Sequence, residues 1–267
     1  MQDSAATDDK LIGRTDGAVG HVIFNNPARH NAVSLEMWEA MSAVMDEFLA
    51  DDGIRVLVVS GAGGKAFVSG ADISKFESER ATKQAVAAYA AASAVAYDKL
   101  YNFPKPTLAR IQGYCMGGGV NLALCCDLRV CNEAARFAIP AAKLGLGYGY
   151  SGLKRLSDVI GPSRAMEIFF TARQFSAQEA YDMGLVNACV GDGELDDAVD
   201  DITRRIGENA PLTIAAIKRA AREIVNDPAD RDLDALEAMV QACFDSEDYI
   251  EGRRAFMEKR KPEFKNR

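Results

Sequence analysis

The segment Ile54 to Ser60 constrains the fold of this chain more than any other feature. It is an apolar run, the pattern of a strand in a sheet covered on both faces. Val19 to Phe24 reads as a strand before it. Between the two, Ser34 is a plausible N-cap, and Trp38, Met41, Met45 and Phe48 recur at three- and four-residue spacing, so a helix is predicted there. An alanine-rich helix is predicted over Ala81 to Tyr101, ending before Pro104 and Pro106. Short strands are predicted at Thr107 to Gln112, Asp127 to Val130 and Leu185 to Val190. Alternation of this kind predicts an α/β fold. From about Glu194 onward the pattern is helical only, with an apolar stripe at Leu233, Leu236, Val240 and Cys243 or Phe244 that needs a surface to pack on.

Composition enters where function classes have to be excluded. The 267 residues carry a net charge of −8, so a nucleic-acid backbone would repel the chain unless a dense basic patch met it. The tail from Arg253 to Arg267 is the single basic cluster, too short to read a nucleic acid but sufficient to meet a few phosphates. No run approaches the roughly 18 apolar residues of a membrane helix. Met1 to Lys10 is polar and lacks the marks of a secretory signal or a mitochondrial presequence, so a cytoplasmic protein is expected, with neither nucleic acid nor membrane as partner. The six cysteines form no C-x-x-C pair and are expected buried and reduced. With only His21 and His30 in the chain, no metal site is expected, and a Ser-His-Asp triad would have to use one of these two.

Three glycine-bearing segments invite a ligand reading. Gly61-Ala62-Gly63-Gly64-Lys65-Ala66 formally matches G-x-G-x-x-A, yet Phe67-Val68-Ser69-Gly70-Ala71-Asp72 follows where a phosphate-binding helix should run, so a plain turn is expected. That second segment, Phe67 to Ile73, carries more weight. So does Gly113-Tyr114-Cys115-Met116-Gly117-Gly118-Gly119, which enters the helix-like Val120 to Cys126. Glycines at a helix start let a ligand approach unpaired N–H groups at the positive end of the helix dipole, a place that stabilises an oxyanion. Equally, they permit close helix packing, and the triplet alone does not separate the two.

Together these segments resemble the enoyl-CoA hydratase/isomerase superfamily, the crotonases. The likeness runs from Asn26-Pro27-Ala28-Arg29-His30-Asn31-Ala32-Val33-Ser34 through Phe67 to Ile73, Pro104 to Thr107 and Gly113 to Asp127. It continues in Phe169 to Gln178, Gly184 to Asn187 and Phe256 to Lys261. The resemblance implies a ββα spiral core, residues 1–195, that binds acyl-CoA, and a C-terminal helical trimerisation region, residues 196–267. It further implies a homotrimer or a hexamer (a dimer of trimers), and no cofactor beyond coenzyme A as part of the thioester substrate. It assigns the oxyanion hole to the N–H groups of Ala71 and Gly118. Ala71, Asp72 and Ile73 would line the adenine pocket and Arg29 would lie near the nucleotide phosphates. Phe256 and Lys259, lent by a neighbouring subunit, would meet adenine and ribose phosphate; Lys259 reads equally well as a solvated helix charge.

The chain departs from the family at its chemistry. The resemblance places Asn121 and Ala141 where a hydratase carries its two glutamates, and neither an amide nor a methyl group is a base near neutral pH. Tyr148 stands where decarboxylating relatives carry a tyrosine, while Ala71 stands where they carry a histidine; Tyr148 reads otherwise as a pocket wall. Glu77 and Glu79 could supply a carboxylate from beyond the Ala71 loop. Three readings follow: a hydratase/isomerase-class acyl-CoA enzyme that stabilises an enolate without the usual glutamates, an acyl-CoA decarboxylase using Tyr148, and a non-catalytic acyl-CoA binder.

Overall fold

The protein is described by a computed structural model over residues 9–71 and 82–267. Asp72, Ile73, Glu77 and Glu79 lie outside the described residues. An antiparallel pair, β1 (Leu11–Asp16) and β2 (Val19–Phe24), opens the chain, followed by helix α1 (Leu35–Ala50). Then a unit of two strands and a helix repeats. The first is β3 (Val56–Gly61), β4 (Ala66–Val68) and α2 (Lys83–Tyr101). The second is β5 (Thr107–Ile111), β6 (Tyr114–Met116) and α3 (Gly118–Cys125). The third is β7 (Leu128–Asn132), β8 (Arg136–Ala138) and α4 (Tyr150–Ile160). Each unit gives its first strand to one sheet and its second to another. The chain continues through α5 (Pro162–Thr171), β9 (Phe175–Ser176), α6 (Ala177–Asp182) and β10 (Ala188–Val190). The six-stranded sheet runs β1-β2-β3-β5-β7-β10 and the four-stranded one β4-β6-β8-β9, with parallel pairing except at β1/β2 and β8/β9. This is the ββα spiral that the resemblance implies.

The apolar run behaves as its pattern requires. Leu57 and Val59 face the main core, which also holds Trp38, Met41, Met45 and Phe48 of α1. Val58 points the other way, joining Leu108 and Val130 beneath Leu195 and Val199 of α7 (Leu195–Gly207). Both faces of β3 are therefore dry, and each such side chain contributes about 1.5–3 kcal/mol through burial. Helices α8 (Pro211–Val225), α9 (Leu233–Asp245) and α10 (Glu247–Glu258) complete the chain. Asp127 ties α8 to the core: its carboxylate accepts from Thr107 N and Oγ1 and from Lys218 Nζ and Arg222 Nη2, at 2.7–3.0 Å. Beyond that tie, Ile217, Val240, Phe244, Phe256 and Met257 border an apolar groove between these helices. No helix among the described residues is long and apolar enough to cross a membrane.

Several predicted boundaries shift. The alanine-rich helix begins at Lys83, capped by the Thr82 hydroxyl, which accepts from Ala85 N. The strand expected over Leu185 to Val190 starts only at Ala188, because the Leu185 and Val186 amides close the end of α6 on the Ala180 carbonyl. The strand expected at Asp127 starts at Leu128. Gly61 to Ala66 is a turn joining β3 directly to β4, as expected.

Candidate active site

Strand register builds the site. β4 and β6 are parallel, with Val68 opposite Cys115. Three residues beyond each partner stand Ala71 and Gly118. Two glycines with positive φ, Gly70 (+102°) and Gly117 (+52°), precede them and turn both chains at the same level. The turns meet closely, since a Cβ added at Gly118 would lie 3.7 Å from Gly70 Cα. Flanking bonds hold both segments: Val33 N donates to Gly70 O (2.9 Å), Ser69 N to His30 O (3.1 Å) and Gly117 N to Ala138 O (2.8 Å). The N–H groups of Ala71 and Gly118 have no backbone acceptor among the described residues.

Each glycine of the triplet has its own reason. Gly117 needs its positive φ. Gly119 answers the packing reading, because a Cβ there would lie 2.1 Å from the Val68 carbonyl oxygen. Gly118 is the first residue of α3, with its amide at the positive end of the helix. The opposite end of α3 meets a buried cation: Arg129 Nη1 donates to Cys126 O (2.7 Å) and Ala123 O (3.4 Å), and its Nε to Leu185 O (2.7 Å). Burial pulls the Arg129 pKa down.

Asn121 lies one turn along α3 from Gly118. Its Oδ1 is buried with no hydrogen-bond partner among the described residues. Tyr148 is half-buried, with its ring edge-on to Phe169 at a centroid distance of 4.6 Å. Burial pushes its phenol up to about 12. Gly152 in α4 faces both, since a Cβ there would stand 2.7 Å from Tyr148 Cε1 and 3.3 Å from Asn121 Oδ1. Ala141, in a short 3₁₀ turn (Pro140–Leu144), packs against the core. Among the described residues no carboxylate is hydrogen-bonded to Asn121 or Tyr148. The nearby Cys125 thiol is pushed up to about 12 by burial and offers no thiolate.

The residue that sequence reading missed is Tyr97 of α2. Its hydroxyl donates to Gly118 O (3.1 Å) and its ring packs on Trp38. Burial, then the neighbouring Tyr148, raise its pKa well above that of a free phenol. Tyr89 on the same helix donates to Val33 O (3.0 Å), beside the bridge between Val33 and Ala71. Two tyrosines eight residues apart in an alanine-rich helix were the available signal.

The other expected residues divide. Arg29 ends a 3₁₀ turn (Pro27–Arg29) beside the first segment, with its carbonyl accepting from Ser69 Oγ at 3.3 Å. Buried Asn31 fixes that loop, donating to Ala62 O and Ala66 O while accepting from Asn26 N. Phe256 is 83% exposed on α10 and borders the apolar groove, which is formed only by residues 210–264, while Lys259 is the exposed C-cap of that helix. Within one chain neither joins the Ala71–Gly118 junction.

Comparison with known proteins agrees with this geometry. The sequence profile of the family described as enoyl-CoA hydratase/isomerase matches residues 14–267. A short-chain-enoyl-CoA hydratase of Clostridium acetobutylicum is 33% identical over 260 residues, covering 97% of this chain and 99% of that protein. A peroxisomal Delta(3,5)-Delta(2,4)-dienoyl-CoA isomerase of Arabidopsis thaliana is also 33% identical, over 94% of each chain. Among solved structures, an enoyl-CoA hydratase/carnithine racemase from Magnetospirillum magneticum superposes with a TM-score of 0.90 at 36% identity, over 98% of this chain and 97% of that one. By profile, sequence and fold, this chain belongs to the enoyl-CoA hydratase/isomerase family.

Proposed function

We propose that this protein, an acyl-CoA enzyme of the hydratase/isomerase class, binds the thioester carbonyl between the N–H groups of Ala71 and Gly118 and stabilises the enolate that forms there. The observation that supports this is that the β4/β6 register leads into two amides, of Ala71 and Gly118, with no backbone acceptor among the described residues. A protein that only bound coenzyme A would have no need of them. Donors pre-aimed at a developing oxyanion are each worth about 2.7–4 kcal/mol of barrier. The resemblance sets Asn121 and Ala141 at the positions of the family's two glutamates; on that reading the rest of the chemistry falls to neutral groups or to carboxylates outside the described residues.

A mass-spectrometric turnover panel of crotonyl-CoA, longer 2- and 3-enoyl-CoAs and methylmalonyl-CoA finds the reaction. Two variants then test the amide. Gly118→Pro and Gly118→Ala both add a Cβ, and proline is tolerated at the first position of a helix, but only proline removes the N–H. A rate at least about 100-fold lower for the proline variant is expected; equal rates would sink the proposal.

A second reading, decarboxylation, is favoured by one observation: Tyr148 holds its proton to about pH 12, so it is a donor able to orient a substrate carboxylate. Loss of CO2 from methylmalonyl-CoA that Tyr148→Phe abolishes would select it. We assign residues 1–195 to acyl-CoA binding and 196–267 to oligomerisation. In this assignment a trimer or a pair of trimers covers the groove around Phe256, and places Phe256 and Lys259 of one copy against the adenine and phosphates bound by another. Arg29, with Asp72 and Ile73, serves the same coenzyme A. Light scattering should show an oligomer that Phe256→Asp dissociates; a wild-type monomer at micromolar concentration would refute the assignment.

A further inference from the structure

We infer that Cys131 and Cys189 are a redox pair, which a peroxide converts into a disulfide across the β7/β10 edge of the six-stranded sheet. The inference is independent of the acyl-CoA reading. β7 and β10 run parallel, and their register sets Cys189 directly opposite Cys131. Flanking bonds fix that register: Asn187 N donates to Arg129 O (2.8 Å), Arg129 N to Asn187 Oδ1 (2.8 Å) and Glu133 N to Val190 O (2.9 Å). Side chains alternate along both strands. Val130, Ala188 and Val190 pack beneath α7, while Cys131 and Cys189 both turn to the main core. The two thiols therefore share one face of the sheet, side by side.

Strand geometry suits the bond. Adjacent strands lie about 4.7–4.9 Å apart, within the Cα separation of about 4.4–6.8 Å that a disulfide spans. A disulfide also brings its Cβ atoms to about 3.5–4.5 Å, so β10 has to lean inward by about half an ångström. It is able to, being three residues long and paired on one side only. Access is unequal, since Cys131 is buried and Cys189 half-buried at the sheet edge. Burial also raises the Cys131 thiol, so Cys189 meets the oxidant first. Its sulfur attacks one peroxide oxygen, the O–O bond breaks, and the thiol proton leaves with the other oxygen as water. The Cys131 sulfur then attacks the Cys189 sulfenic acid: the S–S bond forms, the S–O bond breaks, and the second proton leaves in a second water. Two thiols thus lose two electrons and two protons, and peroxide is reduced to two waters. Among the described residues no other two cysteines are paired by strand register. Cys115, Cys125 and Cys126 are buried, and Cys243 lies apart in the C-terminal groove.

Peptide mapping tests this. The folded protein is treated with hydrogen peroxide, its free thiols are blocked with iodoacetamide, and it is digested with trypsin without reductant. The expected product joins residues 130–136 to residues 174–204 in most molecules, and dithiothreitol separates the two. In Cys131→Ala the reaction should stop at a Cys189 sulfenic acid, which dimedone traps. In Cys189→Ala, Cys131 should stay reduced. Circular dichroism checks that each variant is folded before oxidation. A wild-type protein whose Cys189 sulfenic acid persists beside a free Cys131 would overturn the inference. So would an unreactive Cys189, a link from Cys131 to Cys115, or Cys189 joined between two copies.

Discussion

Adding a methyl group at Gly152 should separate the stability of this protein from its acyl binding. In Gly152→Ala the new methyl would start 2.7 Å from Tyr148 Cε1 and 3.3 Å from Asn121 Oδ1. Carbon atoms prefer about 3.5–4.0 Å, so the Tyr148 ring must retreat by about 1 Å. It cannot retreat toward Phe169, whose ring already meets it at 4.6 Å between centroids. Overpacking of this kind costs about 1–3 kcal/mol, and alanine returns about 1 kcal/mol over glycine inside α4. The net loss is then at most about 2 kcal/mol, and the variant folds. If the acyl chain lies beside Asn121 and Tyr148, its binding fares worse, because methyl and displaced ring crowd that position. The expected result is a small decrease in denaturation midpoint in urea, unchanged affinity for coenzyme A alone, and at least tenfold weaker binding of butyryl-CoA, a difference of about 1.4 kcal/mol. If butyryl-CoA bound with undiminished affinity, the space between Tyr148 and Asn121 would not be the acyl site.

Other substitutions probe the scaffold. Gly119→Ala sets a Cβ 2.1 Å from the Val68 carbonyl oxygen, a backbone atom that cannot step aside, and should cost more than about 3 kcal/mol in chemical denaturation; Gly118→Ala meets only the Tyr97 hydroxyl, at 3.0 Å, and should cost clearly less. The reverse order would contradict the division of labour within the triplet. Arg129→Met strands the carbonyls of Cys126 and Leu185, and an equilibrium loss of about 2–4 kcal/mol is expected, with Arg129→Lys recovering part of it. The Tyr148 phenol, raised from 10.0 to about 12 by burial, favours the folded state fully below pH 10 and loses that contribution as pH rises toward 12. The pH–rate profile should therefore show no alkaline limb from Tyr148 below about pH 11; a limb at pH 8–10 that disappears in Tyr148→Phe would refute its burial.

How much of this was legible in the sequence follows from which interactions are local. β3 announces itself because both of its faces are dry, so Leu57, Val58 and Val59 are apolar in succession. The second sheet does not. β4, β6 and β8 have three residues each, too few to show a period, and they pair across gaps such as that from Val68 to Cys115. Their existence depends on β3, β5 and β7 running parallel and delivering the chain to one end each time. The glycines were legible for a local reason: a positive φ at Gly70 and Gly117 and a close approach at Gly119 each exclude a side chain whatever the rest of the protein does.

Tyr97 was not legible, and α2 shows why. The usual inference places valine inside and leaves tyrosine near the surface. Here Val86 and Val95 are 44% and 57% exposed, while Tyr89 is 8% exposed and Tyr97 half-buried. An alanine-rich helix has too weak a stripe to fix its own rotation. What turns this one is the pair of hydroxyls, which find Val33 O and Gly118 O on the two segments of the site. Apolar bulk would fit that interface as well, but would take these two donors from the carbonyls. The amide at Asn121 and the methyl group at Ala141 could be read from one dimension, because they are matters of residue identity. What surrounds those positions is a matter of tertiary packing: the Tyr97 hydroxyl reaches Gly118 O only once α2 has been laid across α3.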